Sequence, residues 1–233
     1  MKMRMSVIAV IAASLIGSGA VAQQPHRPSS VTTGVGLAAT AEAQPIVELK
    51  MAMRKLWEDH ITYTRNYIIS ALAGLEDESQ IAERLLRNQD DIGAAVKPYY
   101  GDAAGKQLAA LLRDHILIAT QIVAAAKAGK MDEVATGQKK WSANGKDIAA
   151  FLSGANPHWA KKDLEHMLQT HLDLTTGEVV GRLKRDWAAD IKSYDDGHAH
   201  MLMFADMLAD GIAKQFPAKF NKSLASRSVR TEQ

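Results

Sequence analysis

The sequence predicts an all-α protein, an antiparallel bundle of about six helices. Three observations carry that prediction. Apolar residues recur at helical spacing across residues 46–217, and no stretch alternates like a strand. Turn and cap signals divide this region into segments of helical length. A helical-hairpin pattern in residues 84–123 returns at 140–179 with no gap.

The chain opens with Met1-Lys2-Met3-Arg4-Met5, an apolar run over residues 7–16, and Gly19-Ala20-Val21-Ala22-Gln23. A basic start, a short apolar core and small residues before the cut form the layout of a secretory signal peptide over residues 1–22. The expected product is a periplasmic or secreted protein, not stably inserted in a membrane once cleaved. Residues 23–45, rich in Ala, Ser, Thr, Gly and Pro, read as a disordered leader.

The first helix spans about 46–75, with Leu49, Met53, Leu56, His60, Tyr67 and Ala71 on one stripe. Asp77 or Ser79 caps the second, which carries Ile81, Leu85, Asn88, Ile92 and Val96 and stops at Pro98-Tyr99-Tyr100-Gly101. Asp102 opens the third, with Leu108, Leu112, His115 and Ile122 inward, and Gly129 closes it. The fourth starts at Asp132 and turns Trp141, Asn144, Ile148 and Leu152 to one side. Asn156-Pro157 reads as the cap and first turn of the fifth, which carries Leu164, Leu168, His171 and Leu174. The sixth begins near Asp186, presents Trp187, Ile191, Tyr194, His198, Met201, Ala205, Leu208 and Ile212, and ends at Pro217. Residues 218–233 read as a flexible tail.

Composition removes several functions. The chain has no cysteine, which excludes disulfides, thiolate metal sites, a cysteine nucleophile and covalent c-type haem. Without the leader's Lys2 and Arg4, 26 basic residues face 26 acidic ones, so charge gives no case for nucleic acid. No phosphate-binding glycine loop or nucleophile elbow is present, and an enzyme is the least supported class.

The repeat aligns Asn88 with Asn144, Asp91 with Asp147, Ile92 with Ile148, Leu112 with Leu168, and His115 with His171, always 56 positions apart. Asp59-His60-Ile61 echoes Asp114-His115-Ile116. Both helices of a hairpin rise about 1.5 Å per residue, so residues equidistant from the turn share a height. Counting outward from the turns brings His60, His115, His171, His198, Asn88 and Asn144 near one level. Buried imidazoles and amides cost about 1–3 kcal/mol each when unpaired. Such a layer must satisfy itself, hold water, or bind something.

Imidazole is a common ligand of copper, zinc and iron, and bundles build metal sites from facing helices. The expected ligands are His60, His115, His171 and His198. Asn88, Asn144, Asp59, Asp114, Asp190 and Asp195 are placed to orient them or complete the shell. Two other readings use the same residues: a hydrogen-bonded polar core in a binding or scaffold module, and non-covalent haem held by two histidines. The di-iron Glu-x-x-His pairs and the His-Glu-x-x-His zinc-protease motif are both absent.

Leu56-Trp57-Glu58-Asp59-His60, Arg84-Leu85-Leu86-Arg87-Asn88, Asp147-Ile148-Ala149-Ala150-Phe151-Leu152, Asn156-Pro157-His158-Trp159 and Ile212-Ala213-Lys214-Gln215-Phe216-Pro217 together resemble a family of small bacterial helical proteins of unknown function. Members are sometimes labelled glycosyltransferase or acetylglutamate kinase. The resemblance implies an all-α fold over about residues 49–217 and supplies no site residues. The α/β nucleotide-binding architecture those labels require has no counterpart in this chain.

Overall fold

The computed structural model describes residues 34–220, with side-chain surroundings from residue 44 onward. The expected signal peptide, the expected leader up to residue 33 and the expected tail from residue 221 lie outside the described residues. Five α-helices follow in order: α1 (Gly34–Ala73), α2 (Glu78–Lys127), α3 (Met131–Ala155), α4 (Lys161–Lys184) and α5 (Trp187–Gln215). A 3-10 turn, Pro217–Lys219, closes the series, and no strand occurs among the described residues.

The expected second and third helices form one element, α2, broken at a single residue. Gly101 has φ 84° and ψ 169°, a conformation that a residue with a Cβ rarely adopts. There the chain doubles back. Arg113 of the second arm donates to the Leu86 carbonyl (3.3 Å) and pairs with Asp90 (3.0 Å) of the first. The arms touch through backbone: a Cβ on Gly93 would lie 2.5 Å from the Gly105 carbonyl oxygen. Gly93→Ala should therefore cost about 1–3 kcal/mol through overpacking. Gly154→Ala, where a Cβ meets nothing within 4 Å, should be neutral or stabilising. Denaturation midpoints of the two variants test this, and a stabilised Gly93→Ala would contradict the close approach.

Two boundaries differ from the sequence reading. α1 begins at Gly34, inside the expected leader, because Leu37, Ala38, Ala39, Ala41, Glu42 and Ala43 are strong helix formers. Asn156-Pro157 does not open a helix. The Asn156 side chain accepts from the His158 amide (2.8 Å) and donates to the Tyr100 hydroxyl (2.8 Å), which holds a turn, and α4 begins at Lys161. Asp186 does cap α5, accepting from the Ala189 amide at 3.1 Å.

The helices close into a ring in which α1 packs on α2 and α5, α2 on α3, α3 on α4, and α4 on α5. The largest part of the core gathers Met53, Trp57, Ile92, Leu112, Ile148 and Phe204 with their neighbours. Further along the helices, Tyr67, Ile68, Leu85, Ile116 and Val179 form a second cluster, and Ile122, Trp141 and Leu172 a third. On α4 and the second arm of α2 the chain passes from the first cluster to the others at His171 and His115, and on α1 just after His60 and Ile61.

Candidate functional site

Three histidines divide the core. His60 on α1, His115 on the second arm of α2, and His171 on α4 are 2%, 3% and 2% exposed. His171 is the middle member, with ring centres 5.5 Å from His60 and 6.0 Å from His115, the latter nearly stacked at 22°. Trp57 packs edge-on to His60 at 5.5 Å, and Trp141 lies 5.1 Å from His115 and 6.5 Å from His171.

The polar groups beside these rings follow one scheme. Asn88 donates to the Leu56 carbonyl (2.9 Å), Asn144 to the Leu111 carbonyl (3.0 Å), and His200 Nε2 to the Met167 carbonyl (2.8 Å). Each accepting carbonyl lies four residues before a layer histidine, and the three donors are spaced 56 residues apart. One polar side chain thus reaches across from the neighbouring helix to the turn that carries each imidazole.

These bonds set the tautomers. Asn144 gives its amide protons to Leu111, so its Oδ1, 2.7 Å from His115 Nδ1, accepts the ring proton. His115 is then protonated at Nδ1, and its Nε2 keeps a lone pair. At His60 the roles reverse. The Gln89 NH2 lies 2.8 Å from the Leu85 carbonyl, 3.1 Å from Asn88 Oδ1 and 3.3 Å from His60 Nδ1; it has no lone pair to accept with, so the ring proton sits on His60 Nε2. His171 Nδ1, Gln89 Oε1, Trp57 Nε1 and Trp141 Nε1 are buried with no partner among the described residues. A layer otherwise satisfied by its neighbours therefore keeps unused hydrogen-bonding capacity beside the rings.

Burial holds all three rings neutral. Desolvation lowers His60 to about 3, helped by repulsion from His115, while Gln89 opposes the shift. Desolvation lowers His115 to about 4 against the Asn144 hydrogen bond. His171 lies well below its ordinary value, from desolvation and then from His60, His115 and His200. Neutral imidazole is the form that coordinates a metal or accepts a hydrogen bond.

The three rings line the inner end of a cavity of about 110 Å³. Thr64, Thr175 and Tyr67 supply further polar groups, and the remaining wall is mostly aliphatic, including Ile68, Ile116 and Val179. Among the described residues, no Lys, Arg, Asp or Glu lines it. Met131, Val180 and Leu183, which also line the cavity, are 60%, 39% and 43% exposed and form an apolar rim.

The other expected residues lie elsewhere. His198 is not in the layer: it is half-buried, with Nε2 3.3 Å from Glu58. The buried histidine of α5 is His200, two residues on. Asp59 pairs with Lys55 (2.6 Å) and Arg84 (3.2 Å), while Asp114 and Asp195 are exposed. Asp190 is buried but belongs to an ionic cluster, accepting from Arg65 and from Arg182 Nη1 (3.0 Å). Trp187 and Ile191, expected inward, are 52% and 53% exposed. Gln89 and His200 were missed; for His200 the signal was present, since it continues the 56-residue step from Asn88 and Asn144.

As the side chains stand, no group of three or more His, Asp or Glu among the described residues is placed to hold a metal ion. No known family, curated protein or solved structure matches the chain.

Proposed function

We propose that this is an exported helical protein that binds a transition metal between His60, His115 and His171, for storage, delivery or sensing. The basic and apolar start of the chain supports export. The pair of inter-ring spacings, 5.5 and 6.0 Å about His171, carries the metal reading. Imidazoles sharing a tetrahedral ion at ~2.0 Å from each nitrogen hold their ring centres roughly 5 Å apart. Loading would need the rings to turn towards a common point and the opposite tautomer at His60. His115 is already oriented as metal-bound histidines are, giving its second ring N–H to a carbonyl oxygen and keeping the other nitrogen open. His200, fixed on the Met167 carbonyl, flanks the site from α5, the helix whose His198 was expected as a ligand. We also propose that Asn88, Asn144 and His200 mark three copies of one helical hairpin.

Elemental analysis of mildly purified protein should find copper, zinc or iron near one equivalent. Adding that ion to stripped protein should raise its melting temperature, because binding at a thousand times Kd contributes about 4 kcal/mol. His115→Gln and His171→Gln should each abolish the rise. No bound metal and no thermal shift with any of the three ions would remove this reading.

The hydrogen bonds of Asn88, Asn144 and His200 favour a second reading, a polar core that satisfies itself in a scaffold module. In that case the same variants change stability and no metal is found. Haem is not proposed, because about 110 Å³ is far below the roughly 300 Å³ at which drug-sized pockets begin.

A further inference from the structure

The cavity has a shape and a chemistry of its own beyond the three rings. Its walls are mostly aliphatic, with Thr120, Thr176 and Gln138 among them, its rim of Met131, Val180 and Leu183 is open to solvent, and no charged side chain among the described residues lines it. A carboxylate, phosphate or ammonium entering it would leave water with no opposite charge to pair with, which disfavours those organic ions.

At the inner end the donors and acceptors can be counted. Thr64 gives its hydroxyl proton to the His60 carbonyl (2.7 Å), and Thr175 gives its own to the His171 carbonyl (2.9 Å). Both hydroxyl oxygens therefore remain as acceptors. His115 Nε2 is an acceptor, His60 Nε2 carries a proton, and Trp141 Nε1, buried and without a partner among the described residues, is a donor. His171 Nδ1, nine-tenths or more buried, has no partner. The inner end thus combines several acceptors with at least one donor. A hydroxyl, which donates once and accepts, matches that set.

Size narrows the class. An apolar cavity on the order of 150 Å³ takes up benzene, and this one measures about 110 Å³. We propose that the cavity binds a small neutral molecule with an apolar body and a single hydroxyl, of the size of phenol, its hydroxyl set among His60, His115 and His171. The inference goes beyond metal binding and needs no ion.

Full-length protein dialysed against a chelator and titrated calorimetrically with phenol, toluene and benzoate tests it, which separates its failure from that of the metal reading. Phenol should bind at one site. Toluene, lacking the hydroxyl, should bind at least about ten-fold more weakly, equivalent to about 1.4 kcal/mol. Benzoate should not bind. Ala119→Leu, which adds bulk to the cavity wall, should keep its helical circular dichroism and lose phenol binding. No phenol binding at millimolar concentration, equal affinity for toluene or benzoate, or undiminished binding by a folded Ala119→Leu would each overturn the proposal. If that variant does not fold, Val123→Phe, placed on the same wall, replaces it.

Discussion

Acidifying the protein from about pH 6.5 to about pH 4.5 should strip its stability at up to about 3 kcal/mol per pH unit, the net of three buried histidines and one opposing carboxyl. In the folded state His60, His115 and His171 stay neutral, with His60 lowered to about 3 and His115 to about 4. In the unfolded chain each takes up a proton below its ordinary 6.5. The unfolded state therefore binds more protons across this window, and stability falls with pH until the folded rings titrate. Each group contributes up to about 1.4 kcal/mol per unit. Glu178 acts in the opposite sense. Burial raises it from 4.5 to about 7, so its contribution is present at low pH and lost as pH rises through 7. Urea midpoints across the window measure the net slope, and His115→Gln should reduce it by about 1.4 kcal/mol per unit. A flat profile would mean that the rings are solvated or already charged in the folded protein.

Asp190→Ala should be among the most damaging single substitutions, at about 3–5 kcal/mol. Asp190 is 1% exposed on α5 and accepts from Arg65 of α1 and Arg182 of α4. Its removal leaves two guanidinium groups with little else to neutralise them. Glu178 lies 3.0 Å from Arg65 Nη1, but its Oε1 is not aligned for a hydrogen bond and its burial favours the protonated form. Beside the cluster Gly181 lets α4 and α5 approach closely, since a Cβ there would lie 2.7 Å from the Asp190 amide nitrogen. Asp190→Asn keeps the shape and loses the charge, so it should destabilise nearly as much. By contrast Glu165→Ala, which breaks the exposed pair with Lys161 (3.8 Å) on α4, should cost no more than about 1 kcal/mol. Chemical denaturation of the three variants orders them, and an Asp190→Asn protein as stable as the parent would show that the cluster carries no net stabilisation.

The fold class and three of the four layer histidines could be read from helical spacing, because His60, His115 and His171 each sit between large apolar residues on an unbroken stripe. α5 was harder. Tyr194 at its flank drew the stripe through His198, whereas Gly197, Met201, Phe204 and Leu208 set the true phase and turn His200 inward. Asp190 takes the inward place that apolarity assigned to Trp187 and Ile191, because two arginines from other helices converge on it. That pairing joins residues 125 positions apart, beyond the reach of local pattern. Gly101 signalled the break, and the two arms of α2 double back there. Pro157 looked like the first turn of a helix, but Asn156 binds the His158 amide and, over a long range, the Tyr100 hydroxyl, and the segment is a turn instead.

Nitrogen-15 spectroscopy of the histidine rings at neutral pH tests the common layer most directly, with assignments from single His→Gln variants. His60, His115 and His171 should each appear as one neutral tautomer, the proton on Nδ1 in His115 and on Nε2 in His60, with no titration until the protein unfolds. Rings that average between tautomers and titrate near 6.5 would show that the imidazoles are not held together inside the bundle.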